Sequence, residues 1–185
     1  MLKQSKEVTL LGLDISTSIT GATILQGGKI IEAHYWDTRN KNKFPNLYRK
    51  AKFVKDKLLD LDDRYCIENI YIEQSLQSFR SGFSSAKTLS TLSRFNGIVS
   101  WLCAEIFNVE PEMIAASSAR KKAGVDIRRG DNAKEKVLQF IVDNYPQIAV
   151  EYTKHGNPKP GTLDMCDSII IALAGNSLVR EKKHT

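Results

Sequence analysis

Apolar positions follow two rhythms along this chain. Residues 8–13 are apolar except for Thr9, which suits a strand buried on both faces. That run ends on Asp14 and a small polar turn, Ser16-Thr17-Ser18. Residues 21–25 predict a second strand, Gly27-Gly28 a hairpin turn, and residues 29–36 a third strand. Three consecutive antiparallel strands therefore open the chain. After the polar loop at residues 40–43, Leu47, Ala51, Val54, Leu58 and Leu61 recur at helical spacing, in a helix that starts at Pro45 or Asn46.

Residues 67–73 predict a fourth strand, which also ends on an acid, Glu73. A polar segment with two aromatics, Phe79 and Phe83, leads into a long helix at about residues 84–107. That helix carries Leu89, Leu92, Phe95, Ile98, Val99, Leu102 and Ile106, more apolar surface than a monomer core requires. The surplus predicts a contact between two copies. Residues 111–116 read as a short fifth strand, residues 132–144 as a helix, and residues 152–161 as a flexible Gly- and Pro-containing loop. Residues 163–174 form a nearly all-apolar helix with Asp164 and Asp167 in its first turn.

The 185 residues suit one domain over residues 1–185 with a single core. No uninterrupted apolar run approaches the ~20 residues of a bilayer span, and the first residues lack a signal-peptide apolar region. The expectation is a cytoplasmic protein without membrane contact. Cys66, Cys103 and Cys166 form no CxxC pair and read as small buried thiols rather than a zinc site. Lys and Arg outnumber Asp and Glu by 27 to 21, and their distribution says more than the total. Eight Lys or Arg and one acid, Asp56, lie between Arg39 and Lys57. Seven more, against three acids, lie between Ala115 and Lys136: Arg120, Lys121, Lys122, Arg128, Arg129, Lys134 and Lys136. Two basic runs beside an acidic candidate site point to nucleic acid.

Asp14, Glu73, Asp164 and Asp167 each interrupt an apolar context, and they come from three distant parts of the chain. Asp164 and Asp167 project from one side of their helix, whose N-terminus favours negative charge. Oxygen-only ligands select hard cations, above all magnesium or manganese. Two such ions ~4 Å apart can clamp an in-line phosphoryl displacement.

The order strand-strand-strand-helix-strand-helix-strand-helix, with those acids, resembles the ribonuclease H-like fold. Within it the motifs resemble the RuvC family of Holliday-junction resolvases: Leu11-Gly12-Leu13-Asp14 with Thr20-Gly21, Tyr71-Ile72-Glu73-Gln74, and Asp164-Met165-Cys166-Asp167-Ser168-Ile169. The resemblance implies an α/β fold with a five-stranded mixed sheet, three antiparallel strands then two parallel, flanked by helices. It implies that Asp14, Glu73, Asp164 and Asp167 hold two Mg2+ ions, with Mn2+ able to substitute. Arg120 falls where the family has a basic residue, commonly lysine, and Lys134 matches its helix lysine. Phe79 and Phe83, flanked by Arg80, are alternative candidates for the aromatic that stacks on an opened base. Lys121, Lys122, Arg128 and Arg129 join the expected DNA-binding set. The link at residues 124–130 is longer and more charged than the family's usual Gly-rich one.

The expected activity is a homodimeric, structure-selective endonuclease of a bacterium or an infected host cell, of a kind often phage-encoded. It resolves four-way junctions and other branched DNA by paired symmetric nicks, leaving 5′-phosphate and 3′-hydroxyl ends. The rivals are a ribonuclease H- or YqgF-like nuclease acting on RNA or hybrids, and a non-catalytic DNA-binding protein. Residues 14–20 also resemble the phosphate loop of actin-like ATPases and sugar kinases, but those need two copies of this fold.

Overall fold

The structure, a computed structural model, describes residues 7–74 and 86–183. Strands β1 (Thr9–Ile15), β2 (Ile19–Gln26) and β3 (Lys29–Asp37) lead to helix α1 (Leu47–Arg64). Strand β4 (Asn69–Glu73), helix α2 (Ala86–Phe107) and strand β5 (Glu112–Ile114) follow, then helices α3 (Ala116–Ala123), α4 (Ala133–Asn144) and α5 (Thr162–Lys183). The sheet order is β3-β2-β1-β4-β5. β1 and β2 pair antiparallel, as do β2 and β3, whereas β4 runs parallel to β1 and β5 parallel to β4. This is the expected ribonuclease H-like arrangement.

The sheet separates two cores. Leu11, Leu13 and Ile15 of β1, with Ile70 and Ile72 of β4, pack against Ala51, Val54, Leu58 and Leu61 of α1 and Phe95, Val99 and Cys103 of α2. On the opposite face Tyr71, Ile114, Val137 and Ile141 pack around Met165, Ile169, Ile170 and Ala174 of α5. β1 is thus covered on both sides, which explains its nearly unbroken apolar run. α5 lies along β1 and β2 and under α3 and α4, so nearly every side of it meets protein. It has the length and hydropathy of a membrane span, yet 67% of that stretch is buried inside the fold.

Helix starts follow their caps. The Asn46 side chain accepts the backbone N–H of Arg49 at 3.0 Å, and Asn132 accepts that of Lys134 at 3.1 Å. The segment after β5 departs from the sequence reading. Where the sequence reading has a basic run with no element assigned, residues 116–123 form α3, whose Ala119 is fully buried. Gly124 closes it in the left-handed conformation, φ 85°, a glycine C-terminal stop that sequence could have offered. One cysteine reading also changes. Cys103 and Cys166 are buried thiols, but Cys66 is exposed in the link before β4.

Candidate active site

Strand alternation decides where each acid points. In β1, Leu11, Leu13 and Ile15 face the α1–α2 core, so Leu10, Gly12 and Asp14 face α5. In β4, Ile70 and Ile72 face α1 and α2 while Tyr71 faces α5, so Glu73 does too. Leu13 pairs with Ile72 in parallel register, and Asp14 and Glu73 follow at adjacent strand ends. α5 then brings Asp164 and Asp167 onto the same spot.

Two glycines let it come so close. A Cβ on Gly12 would stand 2.6 Å from the Ala172 nitrogen, and one on Gly21 would stand 2.0 Å from the Asp164 carbonyl oxygen. Gly21 is the cross-strand partner of Asp14. A buried hydroxyl pair, Thr23 Oγ1 and Ser168 Oγ at 2.7 Å, ties β2 to α5 one turn further on. Because Ser168 donates to the Met165 carbonyl at 2.7 Å, Thr23 is the donor in that pair.

The turn after Asp14 is similarly fixed. Ser16 Oγ accepts the N–H groups of Ser18 and Ile19 at 3.2 and 3.0 Å and donates to the Ile19 carbonyl at 2.7 Å. Thr38 donates to the Ser18 carbonyl from both its N–H, at 2.8 Å, and its hydroxyl, at 3.1 Å. Lys50 Nζ donates to the Thr17 carbonyl. Asn96 of α2, itself buried, donates to the Glu73 carbonyl at 3.5 Å.

All four acids are harder to ionise than free carboxyls. Burial, and then repulsion from Glu73, Asp167 and Asp164, holds the Asp14 carboxyl well above the usual range; Lys134 opposes this only in part. Glu73 is pushed up to about 7 by burial and Asp167, against the pull of Arg120 and Lys134. Asp164 and Asp167 are raised by burial, with Lys134 again the leading counterweight. The Cys166 thiol is pushed up to about 12, by burial and by Asp167, so it stays protonated beside the acids.

The sign of the resulting pH dependence is fixed. A carboxyl with a raised folded-state pKa binds its proton more tightly in the folded chain. Its contribution is therefore fully present at low pH and is lost as pH rises from the unfolded value through the folded one. For Glu73 that window runs from 4.5 to about 7, a loss on the order of 3 kcal/mol. Glu32 and Asp37, whose values are lowered by Arg64 and Arg39, act in the opposite sense but only below about pH 5. In EDTA, urea unfolding should give lower stability at pH 8 than at pH 5.5, and millimolar Mg2+ should remove most of the difference. Equal stabilities at both pH values would show that the acids do not strain one another.

The donor set suits a hard divalent cation: four carboxylates, no imidazole, and a thiol that stays protonated. Among the described residues no three acid, imidazole or thiol groups form a ready-made cage, so the acids are an electrostatic cluster rather than a closed ligand shell.

Of the basic residues named from sequence, Lys134 acts on all four acids and Arg120 on Glu73 and Asp167. Lys121 shares with Arg120 a groove of about 540 Å³ bounded by Gly124, Val125 and Ile127. Lys122 lies elsewhere, in an ion pair of 2.8 Å with Glu181 near the far end of α5, about 25 Å from Asp164 by helical rise. Arg128 pairs with Asp126 at 3.4 Å, and Arg129 is exposed. Phe79, Arg80 and Phe83 lie outside the described residues. Sequence reasoning missed Arg39 as a site residue. It stands within electrostatic reach of Asp164, as does Asp37; the basic run was visible, but not which of its members would meet the acids.

No protein-family model and no curated protein matches this chain. Solved structures do. RuvC of T. thermophilus in complex with a Holliday junction substrate aligns with TM-score 0.68 at 14% identity, over 94% of this chain and 96% of that one. A Thermus thermophilus RuvC structure aligns with TM-score 0.65 at 15% identity, over 95% and 97%. The yeast mitochondrial Holliday junction resolvase Ydc2 aligns with TM-score 0.62 at 15% identity, over 97% of this chain and 82% of that one. At such identities the likeness speaks for architecture, and by it this chain has the ribonuclease H-like fold in the form found in RuvC and Ydc2.

Proposed function

We propose that this chain is a divalent-metal-dependent, structure-selective endonuclease that resolves branched DNA, four-way junctions above all, as a homodimer. The observation that carries the reading is the convergence of Asp14, Glu73, Asp164 and Asp167 from β1, β4 and α5, faced by Lys134 and Arg120. Asp14, Glu73, Asp164 and Asp167 would hold two magnesium ions, or manganese in their place. Bound there, the ions supply Lewis-acid activation of phosphodiester hydrolysis. Lys134 and Arg120 offset the negative charge that grows on the phosphate in the transition state. The expected ends are a 5′-phosphate and a 3′-hydroxyl.

A four-way junction has twofold symmetry, so a twofold dimer can place two equivalent sites on opposing strands. α2 offers a surface for it. Trp101 is 61% exposed there, and Gly97, one turn earlier, has no neighbour within 4 Å of where a Cβ would stand. The structural likeness to RuvC and Ydc2 supports the same reading.

The test offers synthetic four-way junctions, forks, linear duplex and RNA–DNA hybrid in magnesium and in manganese. Nicks should fall at symmetric positions on opposing junction strands, with linear duplex cut much more slowly. Cleavage of hybrid alone would replace this reading with a ribonuclease H- or YqgF-like nuclease. Junction binding without cleavage in either metal would leave a DNA-binding protein.

A further inference from the structure

Beside the acid cluster, an open groove of about 660 Å³ runs between the end of β3 and the start of α1. It is lined by Asp37, Arg39, Asn40, Lys43, Phe44 and Phe53. It opens at the end of β3, where Asp37 is the cross-strand partner of Ile19 and Thr38 bonds to Ser18 in the turn that follows Asp14; Asp37 and Arg39 also act electrostatically on Asp164. Arg39 is held in place. Its Nε donates to both Asp37 carboxylate oxygens at 3.0 and 3.1 Å, Nη2 donates to Oδ2 at 2.6 Å, and the Arg39 backbone N–H donates to Oδ1 at 2.9 Å. That chelation uses one edge of the guanidinium, and the side chain stays 48% exposed.

Apart from Asp37, which Arg39 neutralises, the charge around the groove is positive. Residues 39–55 contain seven Lys or Arg and no acid. The floor is aromatic: the half-buried rings of Phe44 and Phe53 lie 5.1 Å apart and tilted at 48°. Cations beside aromatic rings match a chain that alternates phosphates with flat bases.

We propose that this groove carries the nucleic-acid strand on one side of the scissile phosphate, with Arg39 positioning the adjoining phosphate and Phe44 stacking on a base. The assignment rests on the nuclease reading above and adds a strand path to it. Asp37 serves as the brace that aims Arg39, not as a ligand of the reacting atoms. Arg39 follows edge strand β3, whereas Arg120 and Lys121 follow the opposite edge strand, β5, so the two basic surfaces belong to opposite edges of the sheet.

The test measures binding of the full chain to a fluorescent four-way junction in EDTA across a salt series. Arg39→Ala/Lys43→Ala should weaken binding about 10- to 100-fold at low salt and reduce the salt slope by about two. Lys29→Ala/Lys183→Ala removes the same charge at the far ends of β3 and α5 and should leave the slope nearly unchanged. A second arm steps a single abasic site along the cut strand. Wild type should lose about 5- to 100-fold in affinity at one position, and Phe44→Leu, which keeps an apolar side chain but not the ring, should lose nothing further there. Equal slopes for the two double variants, or an abasic loss that persists in Phe44→Leu, would overturn the proposal. If wild type cuts junctions while the groove variants bind normally, only this inference falls; if wild type neither binds nor cuts nucleic acid, the nuclease reading falls with it.

Discussion

Asp14→Asn should lower junction cleavage about 10³-fold or more, equivalent to about 4 kcal/mol of transition-state stabilisation, while making the metal-free protein more stable. The two effects have one cause. Asp14 is the acid that Glu73, Asp167 and Asp164 all repel, at a site where burial already disfavours its charge. The amide keeps the shape and removes the charge, so at pH 8 in EDTA unfolding should become harder. The same change leaves the cluster one negative charge short and replaces a strong anionic donor with a weak neutral one. Junction affinity in EDTA should stay within about threefold, because basic surface supplies most of it. Opposite movements of activity and stability separate this outcome from misfolding. Unchanged cleavage would remove the acid cluster from the chemistry.

Much of this arrangement was legible in the sequence because it rests on local pattern. The unbroken run before Asp14 marks a strand covered twice, and alternation in residues 70–73 aims Glu73 at the same face. Asp164 and Asp167 share a side of their helix by spacing alone. What escaped depends on contacts between distant segments. Residues 116–123 are short and basic, and only the packing of Ala119 under α5 shows them as a helix with a buried side. Lys122 looked like its neighbour Arg120, yet the turn of that helix sends it to Glu181 while Arg120 acts on Glu73 and Asp167. Arg39 was one of eight similar cations until the β3–α1 connection set it within electrostatic reach of Asp164.

α5 explains why the site needs so much of the chain. An all-apolar helix laid across a sheet usually keeps its distance through side chains on both partners. In this fold the sheet presents glycine at two of the contact points, so the helix backbone itself rests on β1 and β2. The acids therefore converge through backbone proximity rather than through long side chains reaching inward. The half-buried positions of Asp14, Glu73 and Asp164, and the burial of Asp167 at 8% exposure, follow from that closeness. So do their raised proton affinities.

That closeness makes Gly21 the most sensitive position outside the acids. Gly21→Ala adds one methyl group, whose carbon would stand 2.0 Å from the Asp164 carbonyl oxygen, 2.6 Å from its carbonyl carbon and 3.0 Å from Ser168 Cβ. Two of those atoms are backbone, and the Thr23–Ser168 hydroxyl pair pins the next turn, so no rotamer change relieves the clash. The start of α5 must lift from the sheet. The expected cost is about 3 kcal/mol or more in urea unfolding, with cleavage lost even under conditions where the variant remains folded, because Asp164 leaves Asp14. Gly97→Ala, measured at concentrations where the chain is monomeric, is the matched control. Nothing lies within 4 Å of its added carbon, and in the interior of α2 alanine should stabilise by about 0.5–1 kcal/mol. Opposite signs for the two Gly→Ala changes, measured in the same buffer, would establish that α5 reaches the sheet through Gly21; a mild effect at both would mean that the helix stands further off and that the acids meet by side-chain reach instead.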